Sequence, residues 1–432
     1  MSGASSPRVH FVGGGHSEVR AITPEIVGSK AYHLMRMDAL GLPVPPAFVL
    51  PTAICRELLA RDAPPEGFLD LLAHSVRWLE NATGRSFGAS RRPLLVSVRS
   101  GAPASMPGML ETVLNVGLND TSVEGLIRLT GNPRLAWDSY RRLVEGYLTV
   151  VRGQRADACA GLAKRHLDPQ LFPTLRELDA PGLRSLTREL IDLLDRHGAG
   201  GFPQDPMQQL ADSVLAVFRS WRSPKAIEYR RINGIDDEIG TAVVVQAMVF
   251  GNAGGTSGAG VGFTRDPATG RNELYLDFLF NAQGEDVVSG RQAVTDTARL
   301  AQRLPEVSAG LQRVKSALEE ELQDAQDFEF TVQNRELFLL QTRAAKRSPW
   351  AALQIAIDLV DEGRIDPKTA LERLAGIDLD ALERVHLAPG RGDEALASCT
   401  PASIGVAVGP IALDSRAAQA GAAAGRPGIL VR

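Results

Sequence analysis

Arg99 stands between a run of β-forming residues and a loop of small residues, a combination typical of phosphate binding. The run 94–98 precedes it, and residues 100–109 include two prolines and two glycines. A loop with little side-chain bulk lets backbone N–H groups approach an anion closely. The guanidinium is planar and permanently charged, so it matches phosphate oxygens. These residues predict a phosphate site.

A second group of polar residues follows two predicted strands, 326–333 and 337–343. If residues 334–336 form a three-residue loop, Glu329 lies opposite Gln341 and Asp327 lies opposite Arg343. Because strand side chains alternate between faces, all four then share one face. Two carboxylates on one face suit Mg²⁺, and the amide and guanidinium beside them suit phosphate oxygens. The alternative is a surface hairpin in which Asp327 and Arg343 form a salt bridge.

Three further features are weak when each is taken alone. The adjacent Glu285 and Asp286 are typical of a turn or a helix start. The glycine-rich loop 251–260 fits neither the Walker nor the dinucleotide pattern and also suits a flexible hairpin loop. Lys30 precedes a predicted helix and could direct its ammonium at a phosphate, although a lone helical lysine is usually solvated. Together with Arg99 and the hairpin, they fit a Mg²⁺–nucleotide site where positioning and charge neutralisation do most of the catalysis.

The elements that must position these groups have mixed α/β patterning. Hydrophobic periodicity and turn residues bound the predicted elements. We predict helices over 31–40, 134–151, 183–197 and 348–388, and strands over 47–50, 94–98, 241–250 and 273–280. Residues 122–220 are mostly helical, which is typical of an insertion or a cap on an α/β body.

Composition excludes several classes of partner. The net charge of −4 favours neither nucleic acid nor an anionic membrane surface. No segment approaches the roughly 20 apolar residues that span a bilayer, and the N-terminus does not resemble a signal peptide. The three cysteines, Cys55, Cys159 and Cys399, show no metal-ligand or disulfide spacing. We therefore expect a cytoplasmic protein.

The motif Met106-Pro107-Gly108-Met109, with the residues around it, resembles the phosphate-binding loop of the pyruvate, phosphate dikinase family. The resemblance covers essentially the whole chain, through residues 131–142, 226–230, 240–252, 263–267, 281–288 and 341–343. It implies an α/β (α+β) fold, a two-lobed ATP-grasp nucleotide-binding domain. The implied divisions are a first lobe at 1–118, a mainly helical insertion at 119–220, a second lobe at 221–347, a helical linker at 348–392, and the start of a swivelling phosphohistidine domain at 393–432.

The same resemblance implies a reaction and its residues. In the family, the β,γ-pyrophosphoryl group of ATP passes to a histidine, AMP leaves, and inorganic phosphate accepts the γ-phosphate. The phosphohistidine then phosphorylates pyruvate in a barrel domain, giving phosphoenolpyruvate. Mg²⁺ and a monovalent cation are the implied cofactors. The implied residues are Lys30, Arg99 and Arg343 for catalysis, Gln246, Met248, Val249, Glu285, Asp286 and Gln341 with them for the nucleotide, and Asp327 and Glu329 for the metal.

The chain departs from the family at the acceptor. None of its seven histidines lies in the family's Thr-Ser-His context, Ile404 stands where the family usually has proline, and the pyruvate-binding barrel has no counterpart. We expect the chain to bind Mg-ATP and to donate to a histidine elsewhere. Two alternatives stay open: an enzyme of the phosphoenolpyruvate synthase or rifampicin phosphotransferase type, and a non-catalytic nucleotide-binding regulatory module. The Met106-Pro107-Gly108 motif favours the dikinase.

Overall fold

The computed structural model describes residues 9–14, 21–154, 156–168, 170–196, 201–288, 297–377 and 406–431. The strands are β1 (His10–Val12), β2 (Ala47–Leu50), β3 (Ser86–Phe87), β4 (Pro93–Leu94), β5 (Val96–Gly101), β6 (Thr112–Val116), β7 (Ala242–Ala247), β8 (Gly258–Phe263), β9 (Tyr275–Phe280), β10 (Gln326–Gln333), β11 (Glu336–Ala344), β12 (Ile411–Ala412) and β13 (Ile429–Leu430). No helix within these ranges combines the length and apolarity needed to cross a membrane.

The helices occupy the stretches that the sequence predicts to be helical, together with several shorter segments. They are α1 (Pro24–Ala39), α2 (Thr52–Arg61), α3 (Phe68–Thr83), α4 (Ser122–Thr130), α5 (Pro133–Gly146), α6 (Ala156–Arg165), α7 (Ala180–Arg196), α8 (Pro206–Arg219), α9 (Pro224–Asn233), α10 (Gly284–Val288), α11 (Thr297–Arg303), α12 (Pro305–Leu322), α13 (Pro349–Asp361), α14 (Pro367–Leu374) and α15 (Ser415–Ala423). The predicted helix 134–151 changes from α5 to a π-helix at Tyr147–Val151. Of the predicted helical range 348–388, residues 378–388 lie outside the described residues.

Five strands form an antiparallel sheet in the order β1-β2-β7-β5-β6. Within it, Ser97 pairs with Gln246, and Arg99 lies between Val244 and Thr112. Because side chains alternate along a strand, these polar residues share one face. The residues that alternate with them on β5, Val96 and Val98, are fully buried in the main hydrophobic core. The pattern of the strand thus puts apolar side chains into the core and Arg99 on the other face.

The predicted strands 47–50 and 241–250 are confirmed as β2 and β7. Strand β7 pairs with both β2 and β5. The five-stranded sheet therefore combines strands from the sequence ranges 1–118 and 221–347.

A second sheet has the strand order β11-β10-β8-β9. Strand β8 begins at Gly258, within the glycine-rich stretch 251–260 that the sequence predicted as a loop. The loop prediction is confirmed for 251–257 and was wrong for 258–260. A β-carbon at Gly258, Gly260 or Gly262 would collide with the ring of Phe278, Phe330 or Phe328 respectively. Glycine weakens a strand in isolation, but here the missing side chains leave room for three aromatic rings.

The β10–β11 hairpin differs from its predicted form at the turn. Its loop has two residues, Asn334 and Arg335, both with positive φ, and not three. A regular two-residue hairpin would place Asp327 opposite Thr342, yet the Arg343 Nε contacts the Asp327 carboxylate and the Ala345 N–H donates to the Ala325 carbonyl oxygen. These contacts imply one extra residue in β11, a β-bulge, which restores the predicted pairing of Asp327 with Arg343.

The chain divides into two compact units. The first comprises Met1–Gly262, Leu276–Leu318 and Asp327–Arg343, and the second comprises Phe263–Tyr275, Glu319–Gln326 and Ala344–Arg432. The first contains the five-stranded sheet and most of the four-stranded sheet. The second has its own small core, which includes Ala325, Ile355 and Leu359.

Candidate active site

A cavity of about 310 Å³ lies within the first unit, a volume suited to a small molecule. Strands β5, β6, β7, β8, β10 and β11 contribute to its wall, as do α1 and α10. Six residues predicted from the sequence line it: Lys30, Arg99, Gln246, Met248, Val249 and Glu329. The apolar side of the lining, which includes Leu114, Val261 and Leu340, suits a flat organic group, and the charged side suits an anion.

Arg99 connects the two sheets at this cavity. Its guanidinium approaches Glu329 Oε2 at 3.5 Å and Gln341 Oε1 at 3.4 Å, and donates to the Leu340 carbonyl oxygen at 3.3 Å. The Arg99 side chain is 16% exposed and that of Glu329 is 32% exposed. All three contacts are long, so a phosphate that offered shorter charge-assisted hydrogen bonds would compete well for this guanidinium.

Lys30 reaches the cavity because helix α1 is interrupted just before it. Gly28 has φ 77° and ψ 155° inside the helix. A β-carbon at Gly28 would overlap the carbonyl oxygen of Gly101, and the Ser29 N–H donates to the Ala102 carbonyl oxygen at 3.0 Å. Only glycine combines this conformation with so close a backbone approach. The contact presses the start of the helix onto the end of β5, which carries Arg99.

The Lys30 ammonium is in an unfavourable environment. Burial, and then the positive charge of Arg99, lower the pKa of Lys30 to about 8, while Glu329 acts in the opposite direction. Both causes disfavour the charged form. An anion in the cavity would favour it, so the geometry and charge of the site suit a negatively charged ligand.

The two predicted metal-binding carboxylates are each paired with an arginine. Arg343 Nε donates to both oxygens of Asp327, at 2.9 and 2.7 Å, and the Asp327 side chain is only 4% exposed. Glu329 faces the cavity and contacts Arg99. In the described part of the chain, no cluster of three or more His, Cys, Asp or Glu residues could hold a metal ion.

The predicted acidic pair lies at helix α10. Asp286 accepts a hydrogen bond from the Gln283 N–H at 2.9 Å and contacts the Arg142 guanidinium at 3.4 Å. It is not among the lining residues, whereas Gln283, Gly284 and Val287 are. The side chain of Glu285 lies outside the described residues.

The loop that the sequence singled out for phosphate does not line the cavity. Arg99 and Thr112, which flank it, do. Residues near α9 hold the loop instead: Lys225 Nζ lies 2.6 Å from Glu111 Oε1, and the Tyr229 hydroxyl donates to the Ser105 carbonyl oxygen at 3.3 Å. These contacts place the loop beside α9, and the prediction that its own backbone cradles an anion stays a prediction.

Several lining residues were missed by sequence reasoning. They are Ser97, Thr112, Leu114, Val261, Gln283, Gly284, Val287, Phe330, Thr331 and Leu340. The other lining residues, Ala247, Gly251 and Gly260, lie in the strand and the glycine-rich loop that the sequence had included in the site. Residues two apart on a strand lie on the same face, so Ser97 could have been predicted to share the face of Arg99. By the same rule, Thr112 and Leu114 of β6 share one face. The residues from α10 and β8 gave no such signal.

Comparison with protein families gives a match over residues 66–310 to the model described as pyruvate phosphate dikinase, AMP/ATP-binding domain. The chain is 41% identical over 437 residues to pyruvate, phosphate dikinase of Rhizobium meliloti (strain 1021), covering 98% of this chain and 49% of the relative. It is 41% identical over 429 residues to pyruvate, phosphate dikinase of Clostridium symbiosum, covering 96% of this chain and 48% of the relative. It is 42% identical over 435 residues to pyruvate, phosphate dikinase 2 of Oryza sativa subsp. japonica, covering 99% of this chain and 48% of the relative. The chain thus spans about half the length of these curated relatives.

Proposed function

The chain belongs to the family of the pyruvate phosphate dikinase AMP/ATP-binding domain, and on this basis we propose that it is the donor half of such a dikinase. In this proposal it binds Mg-ATP and passes the β,γ-pyrophosphoryl group to a histidine outside this chain. AMP is released, and inorganic phosphate accepts the γ-phosphate. The barrel that would use the phosphohistidine to make phosphoenolpyruvate from pyruvate also lies outside this chain.

The observation that carries the proposal is the convergence of opposite charges at one cavity. Lys30 and Arg99, from the region of the five-stranded sheet, line the cavity together with Glu329 of β10. The neutral amide of Gln341 is not among the lining residues and contacts Arg99 from β11. Cations are needed to bind phosphate oxygens, and carboxylates are needed to bind the accompanying metal. Phosphoryl transfer depends mainly on positioning and charge stabilisation. The site therefore has the types of side chain that this reaction needs.

Each group then has a role. Gln246, Met248 and Val249 form the side of the cavity that receives adenine. Lys30, Arg99 and Arg343 bind and stabilise the phosphates, with Gln341 beside them, and Glu285 and Asp286 lie near the nucleotide from α10. The lowered pKa of Lys30 fits this role, since a triphosphate would restore the positive charge that burial disfavours.

Glu329 and Asp327 would hold Mg²⁺. Both are hard oxygen donors two residues apart on one strand, and Gln341 adds an amide oxygen, so the donor chemistry fits. Bound there, Mg²⁺ would neutralise charge on the phosphates. Because few protein ligands are present, the remaining coordination positions would be filled by phosphate oxygens and water.

The architecture in this proposal is the two-lobed ATP-grasp fold. The first lobe then comprises 1–118 and the second 221–347, with β7 of the second range pairing in the five-stranded sheet, and the mainly helical segment 119–220 is an insertion. We assign 348–392 to a helical linker and 393–432 to the start of a swivelling phosphohistidine domain; residues 378–405 and 432 of these ranges lie outside the described residues. We place the protein in the cytoplasm, which agrees with the free, buried Cys55 and Cys159, and we include a monovalent cation as a further cofactor.

The test supplies a separately produced phosphohistidine domain of a relative, with ATP, Mg²⁺ and phosphate. We expect AMP release and an acid-labile phosphorylated histidine, and both should be lost in the Arg99→Ala variant. ATP binding without either product would indicate a non-catalytic nucleotide-binding module. The dikinase also modifies the histidine without inorganic phosphate, as a pyrophosphohistidine, and needs phosphate only to remove the γ-phosphate as diphosphate. Formation of the monophosphohistidine without added phosphate, with the γ-phosphate released to water, would instead indicate an enzyme of the phosphoenolpyruvate synthase or rifampicin phosphotransferase type.

A further inference from the structure

Two arginine–carboxylate pairs lie at the proposed site. Their carboxylates are the groups that a metal would bind, and their guanidinium groups are the ones that a triphosphate would bind. Arg343 Nε contacts both oxygens of Asp327, and Arg99 contacts Glu329 and Gln341. Both proposed metal-binding carboxylates, Asp327 and Glu329, are therefore paired with a guanidinium.

From this arrangement we propose that Arg343 and Arg99 act as a coupling device. They cover the metal-binding carboxylates until the phosphates of a nucleotide draw the guanidinium groups away. This inference deepens the proposed function and rests on it. It adds that Mg²⁺ does not bind appreciably on its own and enters only with the nucleotide.

The charges of the cluster support this order. At neutral pH, Lys30, Arg99 and Arg343 supply three positive charges against the two carboxylates, and both arginines lie close enough to Lys30 to disfavour its charged form. A free divalent cation would add to an excess of positive charge. The magnesium complex of ATP is negatively charged overall, so it is attracted by the same excess.

The number of ligands leads to the same conclusion. Mg²⁺ requires close to six oxygen ligands in a regular octahedron. Asp327 and Glu329 are the two acidic donors of β10, and no group of three or more His, Cys, Asp or Glu residues that could hold a metal occurs in the described ranges. Phosphate oxygens that bridge to the metal would supply the missing ligands and at the same time take over the two guanidinium groups. Binding of the nucleotide thus completes both the metal site and the phosphate site.

The two pairs differ in how firmly they are held. Asp327 is nearly buried and its contacts with Arg343 are short, whereas Glu329 is one-third exposed and its contact with Arg99 is long. Arg343 is itself 40% exposed, so it can move toward solvent or a ligand. We infer that Asp327 is the more tightly covered of the two and that Arg343 controls metal access to it.

The experiment measures binding of Mn²⁺ to the full chain by the loss of its free electron paramagnetic resonance signal, with and without a non-hydrolysable ATP analogue. The Mn²⁺ that the analogue binds by itself is measured in protein-free solution and subtracted. For the wild type, we expect the analogue to tighten Mn²⁺ binding roughly tenfold or more, a normal size for coupling between sites. Arg343→Met should tighten binding of Mn²⁺ alone by about tenfold while weakening binding of the analogue. A variant with better metal binding and worse nucleotide binding is the signature of this device.

Arg313→Met, on the exposed face of α12, is the matched control, since it removes the same charge away from the site. Arg343→Lys keeps a cation next to Asp327 and should leave Mn²⁺ binding weak. Adding Asp327→Asn to Arg343→Met should abolish the gain. If Arg343→Met does not fold, Arg99→Met provides the same test at Glu329.

Tight Mn²⁺ binding to the wild type without nucleotide would overturn the inference, as would an unchanged affinity in both arginine variants. In those cases nucleotide binding would still support the proposed function. Failure of the wild type to bind the analogue at all would contradict the proposed function itself.

Discussion

Arginines meet carboxylates in two parts of this molecule with very different geometry. In the second unit, Arg265 is fully buried and donates to both oxygens of Glu319 at 3.0 Å and to Glu362 at 2.7 Å. In the first unit, Arg99 is partly exposed and its contacts with Glu329 and Gln341 are 3.5 and 3.4 Å. Both arginines contact glutamate, but of the two only Arg265 makes short, bidentate hydrogen bonds.

This difference separates a structural ion pair from one that can exchange partners. A buried guanidinium with its carboxylates around it cannot be removed without leaving an unpaired charge. A partly exposed pair with long contacts, such as Arg99 with Glu329, gives up little when a phosphate replaces the carboxylate. Arginine and glutamate in a sequence therefore do not by themselves tell a site from a scaffold. The exposure of the arginine does, since Arg265 is 0% exposed whereas Arg99 is 16% and Arg343 is 40% exposed.

The largest effect we expect is on stability, at Arg265. Arg265→Met leaves Glu319, which is 2% exposed, without its partner, and should lower the free energy of unfolding by about 3–5 kcal/mol. Urea denaturation measures this loss. Arg61→Met, which breaks a surface pair with Glu57, is the control and should cost about 0.5 kcal/mol or less. A small effect at Arg265 would remove the contrast between the two regions.

The next effect tests how the cavity brings its cations together. Gly28→Ala should lower the free energy of unfolding by about 2–4 kcal/mol, through strain at positive φ and overlap with Gly101. It should also weaken ATP binding, because Lys30 moves away from Arg99. Gly41→Ala, at a similar φ of 71° with no atom near its β-carbon, should show only the strain. Calorimetry of ATP binding distinguishes them, and equal losses of affinity would contradict a positioning role for Gly28.

A smaller effect, on binding and not on folding, is expected at Arg99. Arg99→Ala should weaken ATP by about 2 kcal/mol, because a charge-assisted hydrogen bond to phosphate is lost. AMP should be affected much less, and the midpoint of urea denaturation should barely change. Titration with both nucleotides checks this expectation. Equal weakening of ATP and AMP would exclude a role for Arg99 at the terminal phosphates.

The smallest effect is a pH dependence set by Lys30. Its pKa is about 8 in the native protein and 10.5 ordinarily, so the native state disfavours the charged form. This cost to stability is present below pH 8 and is relieved as pH rises from about 8 to 10.5. ATP favours the ammonium and so raises the pKa of Lys30 in the complex. The affinity for ATP should therefore fall as pH rises above about 8, the pKa of Lys30 in the free protein, and level off above the pKa in the complex. Lys30→Met should bind ATP more weakly and lose this dependence, and the exposed Lys164→Met should retain it.

Particular elements show where sequence reasoning succeeded and where it stopped. Strands β2 and β7 were predictable because β-branched and aromatic residues leave few other structures open to them. The β8 strand was missed, since its glycines are understood only beside the phenylalanine rings that fill their space. The two-residue turn and the bulge in β11 were missed for a related reason: bulges depend on pairing, which a single strand does not reveal.

The sequence by itself determined the family, most of the regular elements and the residue types of the site, because these follow from local patterns and from matched motifs. Tertiary structure decided which of those residues meet. It turned the loop after Arg99 toward α9, brought Arg99 to Glu329 and Gln341 across more than two hundred residues, and pressed Gly28 onto Gly101 beside Lys30. Such contacts depend on how distant strands pair and pack, and no local pattern encodes that.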